Sequence, residues 1–366
     1  MKIPFVPYAR LYLKNREDYL NIFDSVAGKG AFIMQNELEK FESELACYVD
    51  SKYSLGVGNA TDGLEFALMS IGLEKGDEVI CSAHTMIATA SAIKVAGGTP
   101  KVVDIGYDNL IDPDAIKNAI NPRTVGIMPT QLNGRTCNMD KILSISEKYK
   151  LFIVEDSAQA LGSKFNNKYA GTFGKASAIS FYPAKTLGCF GDGGALITND
   201  EFIYDKAYQL HDHGRNKDGE FKSWGRNSRL DNLQAAFLSY NLKNYDSIIA
   251  RRREIAKMYN DALKDIEELK LPPKPEKDSL HFDVYQNYEM VAERRDEFKK
   301  YLENQGISTL IQWGGKALHQ YENLDIREHL PAAEEFFRKC IMIPIHPYLT
   351  NSEVSYIIEK IKDFYK

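Results

Sequence analysis

The chain has 366 residues, of which 44% are hydrophobic and 27% charged. One hydrophobic core usually serves no more than ~250–300 residues, so this length predicts one large and one smaller domain. The formal net charge of −5 argues against nucleic acid as a partner, because nucleic-acid-binding surfaces are usually basic. The composition is that of a folded globular protein and excludes the disordered and fibrous classes.

Five scattered cysteines form no CxxC pair, so we expect neither a zinc site nor a disulfide framework. No stretch approaches the ~20 apolar residues that a membrane span needs, and the first residues lack the apolar core of a signal peptide. We therefore expect an unprocessed, soluble protein of the reducing cytoplasm, with no metal site.

Residues 56–199 alternate short apolar runs with helical patterns, which is typical of βαβ units and a largely parallel sheet. Helices are predicted at residues 63–73, 89–97 and 139–150. Strands are predicted at residues 77–83, 99–105, 124–130, 151–156 and 176–182, with a hairpin at 163–174.

Two helical segments, 232–242 and 248–269, precede a proline-rich break, KLPPKPEKD. Beyond it the pattern predicts strands at 281–291 (HFDVYQNYEMV), 308–313 (STLIQW) and 341–345, and helices at 294–305, 332–340 and 352–365. We divide the chain into a large α/β domain, residues 1–245 with an N-terminal arm, and a small α+β domain, residues 246–366.

The stretch SFYPAKTLGCFGDGGALITND, residues 180–200, predicts an apolar strand that runs into Lys185 and then into a glycine-rich loop. A lysine at a strand end is usually a solvated surface charge. Partial burial and nearby positive charge lower the pKa of a lysine, and its neutral amine then attacks a carbonyl to form a Schiff base. Lys185 is therefore a catalytic candidate if a cofactor site surrounds it.

Two helix starts add to this pattern. Residues 59–62 begin a helix, where free backbone N–H groups favour a phosphate, although taken alone these residues are better explained as a plain N-cap. Residues 225–231 (GRNSRLD) offer an amide, a hydroxyl and two arginines just before a later helix, and a cap explains them too.

A carboxylate, Asp156, ends a buried strand beside Glu155 and needs a cationic partner or water. That partner is either a neighbouring side chain or a protonated pyridine nitrogen, as in pyridoxal phosphate (PLP) enzymes. The carboxyl ends of the strands in an open α/β sheet meet along one edge. Thr61 and Ser180 for a phosphate, Asp156 for the pyridine and Lys185 for the aldehyde together indicate a PLP site.

These motifs resemble those of the DegT/DnrJ/EryC1/StrS family of PLP-dependent nucleotide-sugar aminotransferases. The resemblance covers nearly the whole chain and rests on GVGNATDGLEFAL, VEDSAQALGS, SFYPAKTLGCFGDGGALITND, NSRLDNLQAAFL and MIPIHPYLT. It implies the aspartate aminotransferase (type I) fold, with a mostly parallel sheet in the large domain. It also implies a homodimer whose active sites span two chains.

The resemblance assigns roles to individual residues around the cofactor. Lys185 bonds the PLP aldehyde, Asp156 pairs with the pyridine nitrogen, and Gln159 lies near the phenolic oxygen. Met86 covers the ring, where relatives commonly have an aromatic residue. The phosphate is held by Ala60, Thr61 and Ser180, and by Asn227 from the neighbouring subunit.

One departure concerns the segment PTQLNGRT, in which relatives often have a histidine. Here Gln131 occupies that position, and an amide does not titrate. We therefore expect no proton transfer from this residue. Retention of Lys185 argues against the related dehydratases, in which histidine replaces the lysine.

The implied reaction transfers an amino group from L-glutamate to the keto group of a nucleotide-linked 6-deoxyhexose, with pyridoxamine phosphate as the intermediate cofactor form. The GDGG loop around Asp192 resembles relatives that aminate the 3-keto position of thymidine diphosphate (dTDP) sugars, whereas relatives acting at the 4-keto position more often have GEGG. The product would serve a surface glycan, such as lipopolysaccharide O-antigen, or another unusual sugar. A PLP-binding regulator without turnover is a further alternative.

Substrate contacts are expected from the stretch TLIQWGGKALHQ in the small domain. Its candidate residues are Gln312, Trp313, Lys316 and His319. A packed strand followed by a surface loop explains the same residues without a substrate role.

Overall fold

The structure is a computed structural model that describes residues 1–366. Its helices are Tyr8–Lys14 (α1), Arg16–Ala27 (α2), Asn36–Tyr48 (α3), Ala60–Ile71 (α4), Ile87–Val95 (α5), Pro113–Ala119 (α6), Met139–Tyr149 (α7), Glu201–His211 (α8), Asn232–Leu242 (α9), Tyr245–Leu263 (α10), Arg295–Asn304 (α11), Pro331–Lys339 (α12) and Asn351–Phe364 (α13). Short 3-10 turns span Gln312–Gly315, Leu318–Gln320 and Glu322–Leu324.

The strands are Tyr53–Val57 (β1), Glu78–Ser82 (β2), Thr99–Val103 (β3), Thr124–Met128 (β4), Phe152–Asp156 (β5), Lys164–Phe165 (β6), Lys168–Tyr169 (β7), Ala176–Ser180 (β8), Gly194–Thr198 (β9), Leu269–Lys270 (β10), His281–Phe282 (β11), Tyr288–Ala292 (β12) and Cys340–Ile343 (β13). Seven of them form one sheet in the order β1-β9-β8-β5-β4-β2-β3. Within this sheet β9 runs antiparallel to both of its neighbours, and the remaining pairs are parallel.

Helices pack on both faces of the central sheet because its strands are apolar on both sides. One face is covered by α4 and α5, and α12 from the small domain joins the same core. The other face is covered by α3 and α9. This arrangement confirms the predicted α/β class and directs the carboxyl ends of β2, β4, β5 and β8 to one edge of the sheet.

A second core belongs to the C-terminal part of the chain. There β10, β12 and β13 form an antiparallel sheet that packs with α11 and α13. Helix α10 reaches both cores, because Ile249 packs with the large-domain residues and Ile255 with the C-terminal ones. Ile3 also lies in the C-terminal core, where it bridges to Ile307.

Two sequence predictions for the small domain were wrong. Residues 281–291 are not one strand, because β11 joins a sheet with the hairpin β6-β7 while β12 joins β13. Residues 308–313 form no strand, because only Leu310 bridges to Met342 before a 3-10 turn begins at Gln312. At Trp313 the backbone φ is +46°, a left-handed conformation that no strand accommodates.

The helices α1 to α3, α6 and α8 and the strands β1, β9 and β10 were not predicted. Strand β9 follows the glycine-rich loop directly, so its five residues read as part of that loop in the sequence. No helix of the structure has the length and apolar composition needed to cross a lipid bilayer.

Candidate active site

Lys185 lies in a turn just after β8, at the edge of the sheet where β5 also ends. It lines a cavity of about 770 Å³. Residues of the N-terminal arm and of the segment 310–313 form other parts of the cavity wall. Burial of the side chain lowers the pKa of Lys185 to about 8, and the negative charge of Asp156 opposes part of that decrease. At pH 7 roughly a tenth of the amine is therefore neutral, far more than for an ordinary lysine.

The turn that carries Lys185 is clamped on both sides by Gln286. Its Oε1 accepts a hydrogen bond from Thr186 N at 2.8 Å, and its Nε2 donates to Ala184 O at 3.0 Å. The Thr186 hydroxyl also pairs with the Tyr245 hydroxyl at 2.6 Å. These contacts fix the backbone around Lys185, and no local sequence pattern pointed to them because Gln286 lies far downstream.

Asp156 is buried at the end of β5, 4% exposed, and faces Lys185. Its Oδ2 accepts a hydrogen bond from the Thr89 hydroxyl at 2.5 Å, and its Oδ1 accepts one from Ala158 N at 3.1 Å. Burial raises the pKa of Asp156, while these two donors and the charge of Lys185 pull it back down. The carboxylate is thus positioned to pair with a cation in the site. Thr89 is a supporting residue that the sequence analysis missed.

The neighbouring acid, Glu155, has a structural role. It is fully buried and accepts four hydrogen bonds, one from the Gln131 amide at 2.7 Å and three from backbone N–H groups of Gly171, Phe173 and Gly174. Gln131 Oε1 in turn accepts from Cys137 N at 2.7 Å. Both ends of the Gln131 amide are therefore occupied, consistent with the expected lack of a proton-transfer role.

The start of α4 forms the candidate phosphate site. Asn59 caps the helix by accepting from Asp62 N, which confirms the N-cap interpretation. The backbone N–H groups of Ala60 and Thr61 have no acceptor within the chain, so the cap and a phosphate site are compatible.

Ser180 is brought to this helix start by Gly194, its partner in the β8-β9 register. A Cβ on Gly194 would lie 2.5 Å from Asn59 C and 2.6 Å from Ala60 N, so only glycine lets β9 approach α4 this closely. This register brings Ser180 next to the start of α4, and we take Ser180 and the two free N–H groups as the candidate phosphate corner; none of these residues lines the cavity of Lys185.

Met86 and Gln159 line the same cavity as Lys185. Met86 is the residue before α5 and is 51% exposed, so its thioether is available to cover a ligand ring. Gln159 Oε1 accepts from Asn133 N at 3.0 Å and from Asn287 Nδ2 at 3.3 Å, which leaves its Nε2 group without a partner in the chain.

Asn227 lies in an exposed segment and bridges to Asp212 through its backbone. The next residue, Ser228, is the one that reaches the chain's own α4. Its hydroxyl accepts from Gly58 N at 3.0 Å and donates to Asp62 Oδ2 at 2.6 Å. Asn227 itself is exposed and does not line the cavity of its own chain.

Of the four substrate candidates, Gln312 and Trp313 line the cavity. Lys316 and His319 do not: Lys316 is exposed, and His319 Nε2 lies 3.0 Å from Glu334 Oε1. Gln312 is 4% exposed, so most of its surface is in contact with other residues of the protein. Asp192 of the GDGG loop is exposed and also lies outside the cavity wall.

Comparison with known proteins fits this geometry. The model of the DegT/DnrJ/EryC1/StrS aminotransferase family matches residues 14–362. The chain belongs to this family. Relatives include a protein of Aneurinibacillus thermoaerophilus named dTDP-3-amino-3,6-dideoxy-alpha-D-galactopyranose transaminase, 35% identical with 99% of each chain covered. A Geobacillus stearothermophilus protein, 34% identical with 100% of this chain and 99% of the relative covered, is named a pleiotropic regulatory protein.

Solved structures of relatives confirm the type I fold and the cofactor. DesV of Streptomyces venezuelae, in complex with a ketimine intermediate, matches with a TM-score of 0.96 at 33% identity, covering 100% of this chain and 99% of that one. Other matching structures are described as the PLP form or as carrying pyridoxamine phosphate. The chain is thus a PLP-dependent sugar aminotransferase by family.

The residues present fit this cofactor. Free N–H groups beside a serine hydroxyl suit its phosphate, a buried carboxylate suits a protonated ring nitrogen, and a lysine of lowered pKa suits its aldehyde. The unpaired Nε2 of Gln159 suits an anionic oxygen. PLP bound here would supply an electron sink next to Lys185.

The close approach at Gly194 generates a first prediction. Gly194→Ala pushes β9 away from α4 and should weaken PLP affinity at least tenfold, about 1.4 kcal/mol, measured by equilibrium dialysis. Gly191→Ala in the same loop is the matched control, because the nearest atom to its added Cβ would be Gln234 Nε2 at 3.5 Å. Equal affinities of the two variants would contradict the proposed phosphate corner.

The lowered pKa of Lys185 generates a second prediction. Reaction of the cofactor-free protein with pyridoxal, trapped with borohydride and located by mass spectrometry, should rise through about pH 8 at Lys185 and then level off. Asp156→Asn should move this midpoint lower, because it removes the negative charge that stabilises the ammonium form. A Lys185 profile with no midpoint near pH 8, or one that Asp156→Asn leaves in place, would refute the assignment.

Proposed function

We propose that this aminotransferase moves the amino group of L-glutamate to the 3-keto carbon of a dTDP-linked 6-deoxyhexose, forming a dTDP-3-amino-3,6-dideoxyhexose. The observation that carries the choice is the 35% identity, over nearly all of both chains, to a relative whose name describes that product class. The GDGG loop of residues 191–194 supports it as a sequence feature. A 4-keto sugar nucleotide is the second candidate.

The chain's own residues support the proton transfers of such a reaction. With PLP bound, the neutral amine of Lys185 would take the proton from the donor's α carbon and return it on the same face. Asp156 would keep the ring nitrogen protonated, and the start of α4 would hold the phosphate and so fix the position of the ring. The clamp by Gln286 holds the turn that positions Lys185 Nζ for both proton transfers.

A wide cavity suits a sugar nucleotide better than an amino acid alone. Its volume of about 770 Å³ lies within the range of small-molecule sites, and it extends from Lys185 to the N-terminal arm. Arg252 of α10 also lines it. We assign Gln312 and Trp313 to contacts with the sugar, and we leave Lys316 and His319 without a role in their own chain's cavity.

The regiochemistry can be tested directly. The pyridoxamine phosphate form is mixed with an equilibrated pool of 3-keto and 4-keto 6-deoxyhexose dTDP sugars, and the new amine is located by NMR. We expect the amine at carbon 3, with Lys185→Ala as the variant that makes no product. An amine at carbon 4 would overturn the 3-keto choice. If no amine donor changes the visible absorption band of the bound cofactor, the result would instead favour a regulator that binds PLP without turnover.

We also propose a homodimer in which Asn227 reaches the phosphate of the cofactor held by the other subunit. The segment around it is exposed in the single chain, including Phe221 at 72% and Trp224 at 96%, and aromatic residues of this kind are frequent at protein interfaces. Ser228 holds the base of this segment against the chain's own α4.

Mixed dimers provide the test of the shared site. Asn227→Ala alone should weaken PLP binding roughly tenfold, through loss of one phosphate hydrogen bond. Dimers of Lys185→Ala with Asn227→Ala should regain one wild-type site, because both defects then fall in the other site. PLP affinity is measured by fluorescence before and after subunit exchange. Mixtures that behave as the average of the two variants would place Asn227 in its own chain's site or outside any site.

A further inference from the structure

Glu289 in β12 is a buried carboxylate that is linked by hydrogen bonds to Gln159 in the cavity. The link runs through two side-chain amides, those of Asn133 and Asn287. Glu289 Oε2 accepts from Asn133 Nδ2 at 2.6 Å and from Gln312 Nε2 at 3.0 Å. Asn133 Oδ1 accepts from Asn287 Nδ2 at 2.8 Å. Asn287 Nδ2 also donates to Gln159 Oε1 at 3.3 Å.

The two ends of this chain of hydrogen bonds determine which way each amide faces. An ionised carboxylate only accepts, so Asn133 must turn its NH2 group to Glu289 and its oxygen to Asn287. Asn287 must then turn its NH2 group toward Gln159. At the far end, Asn133 N donates to Gln159 Oε1 at 3.0 Å, and a backbone N–H only donates. Both ends therefore require Gln159 Oε1 to face inward and its NH2 group to face the cavity.

Glu289 is itself packed beside His84. Both side chains are buried, and His84 Nε2 lies 3.3 Å from Glu289 Oε2. His84 Nδ1 must carry a proton, because it lies 2.8 Å from the carbonyl oxygen of Asn109. Both amides that contact Glu289 do so through their NH2 groups, so the carboxylate is the acceptor at this end of the chain of hydrogen bonds.

We propose that Glu289 is a positioning residue: acting through Asn133 and Asn287, it fixes the amide of Gln159 so that the NH2 group is presented to the ligand beside Lys185. The ligand group is an anionic oxygen, and the phenolic oxygen of PLP is the one that the cofactor offers. The inference holds for either keto carbon of the sugar, so it stands or falls independently of the proposed substrate.

The side-chain amide of Gln159 needs other residues to hold it in one orientation. Gln159 follows β5 in the loop of residues 157–163, and its own side chain has several rotamers of similar energy. Three of the residues that hold it, Asn287, Glu289 and Gln312, come from the C-terminal part of the chain. The hold on Gln159 is thus complete only when the small domain is docked, because the backbone N–H of Asn133 is its single direct contact from the large domain.

The test uses the protein loaded with PLP and a visible-light pH titration. When PLP is joined to Lys185, its absorption band reports the protonation of the joining nitrogen. A donor to the phenolic oxygen weakens the attraction that holds this proton, so losing the donor raises the midpoint. Gln159→Leu should raise it by about 0.5–1 pH unit, the equivalent of one hydrogen bond.

Glu289→Gln should raise the midpoint in the same direction, because the introduced amide can donate as well as accept and the Asn133 amide is then free to flip. Removal of a negative charge acting directly on the site would lower the midpoint instead. In a Gln159→Leu background, Glu289→Gln should add no further shift. Glu293→Gln, an exposed change just after the same strand, is the matched control and should leave the midpoint unchanged.

A lower midpoint in Glu289→Gln, an unchanged one, or a shift that adds to that of Gln159→Leu would overturn the proposal. An unchanged midpoint in Gln159→Leu would overturn it as well, because it would show that Gln159 does not contact the phenolic oxygen. If Glu289→Gln does not fold, Asn287→Leu breaks the chain of amides at its other end, and the same upward, non-additive shift is expected.

Discussion

The site depends on one electrostatic arrangement: a lysine and an aspartate of opposite charge buried at neighbouring strand ends. Each is destabilised in its charged form by burial, which lowers the pKa of Lys185 and raises that of Asp156. Each also stabilises the charge of the other. A cationic ring nitrogen beside Asp156 would take over the stabilisation of the carboxylate, so that Lys185 would become free to act as a neutral amine.

The strand order of the central sheet brings Asp156 and the Lys185 turn together. Parallel order places the ends of β5 and β8 side by side, and the single antiparallel strand β9 returns from the Lys185 loop to close the site at α4. Gly194 is needed at the first position of β9 because backbone atoms of Asn59 and Ala60 lie where a Cβ would be. No glycine from 188 to 194 has a positive φ, so the loop uses its glycines for close approach and not for unusual backbone angles.

Much of this arrangement was predictable from the sequence, because it depends on local patterns. The alternation of strands and helices indicated the large domain, and Asp156, Ser180 and Lys185 each stand at or just after a strand end. The supporting contacts were not predictable. Gln286 and Glu289 meet the site only through tertiary packing, and they lie in a segment, 281–291, whose alternating pattern imitates one long strand.

The contacts that the sequence did not predict connect the small domain to the active-site residues of the large domain. Gln286 holds the backbone on both sides of Lys185, and Asn287 holds Gln159. Both come from the short segment between β11 and β12, which separates two different sheets. A strand through this region would have paired these backbone groups and pointed alternate side chains away from the site. Its irregular conformation lets consecutive side chains reach the same site, which couples the order of the active site to docking of the small domain.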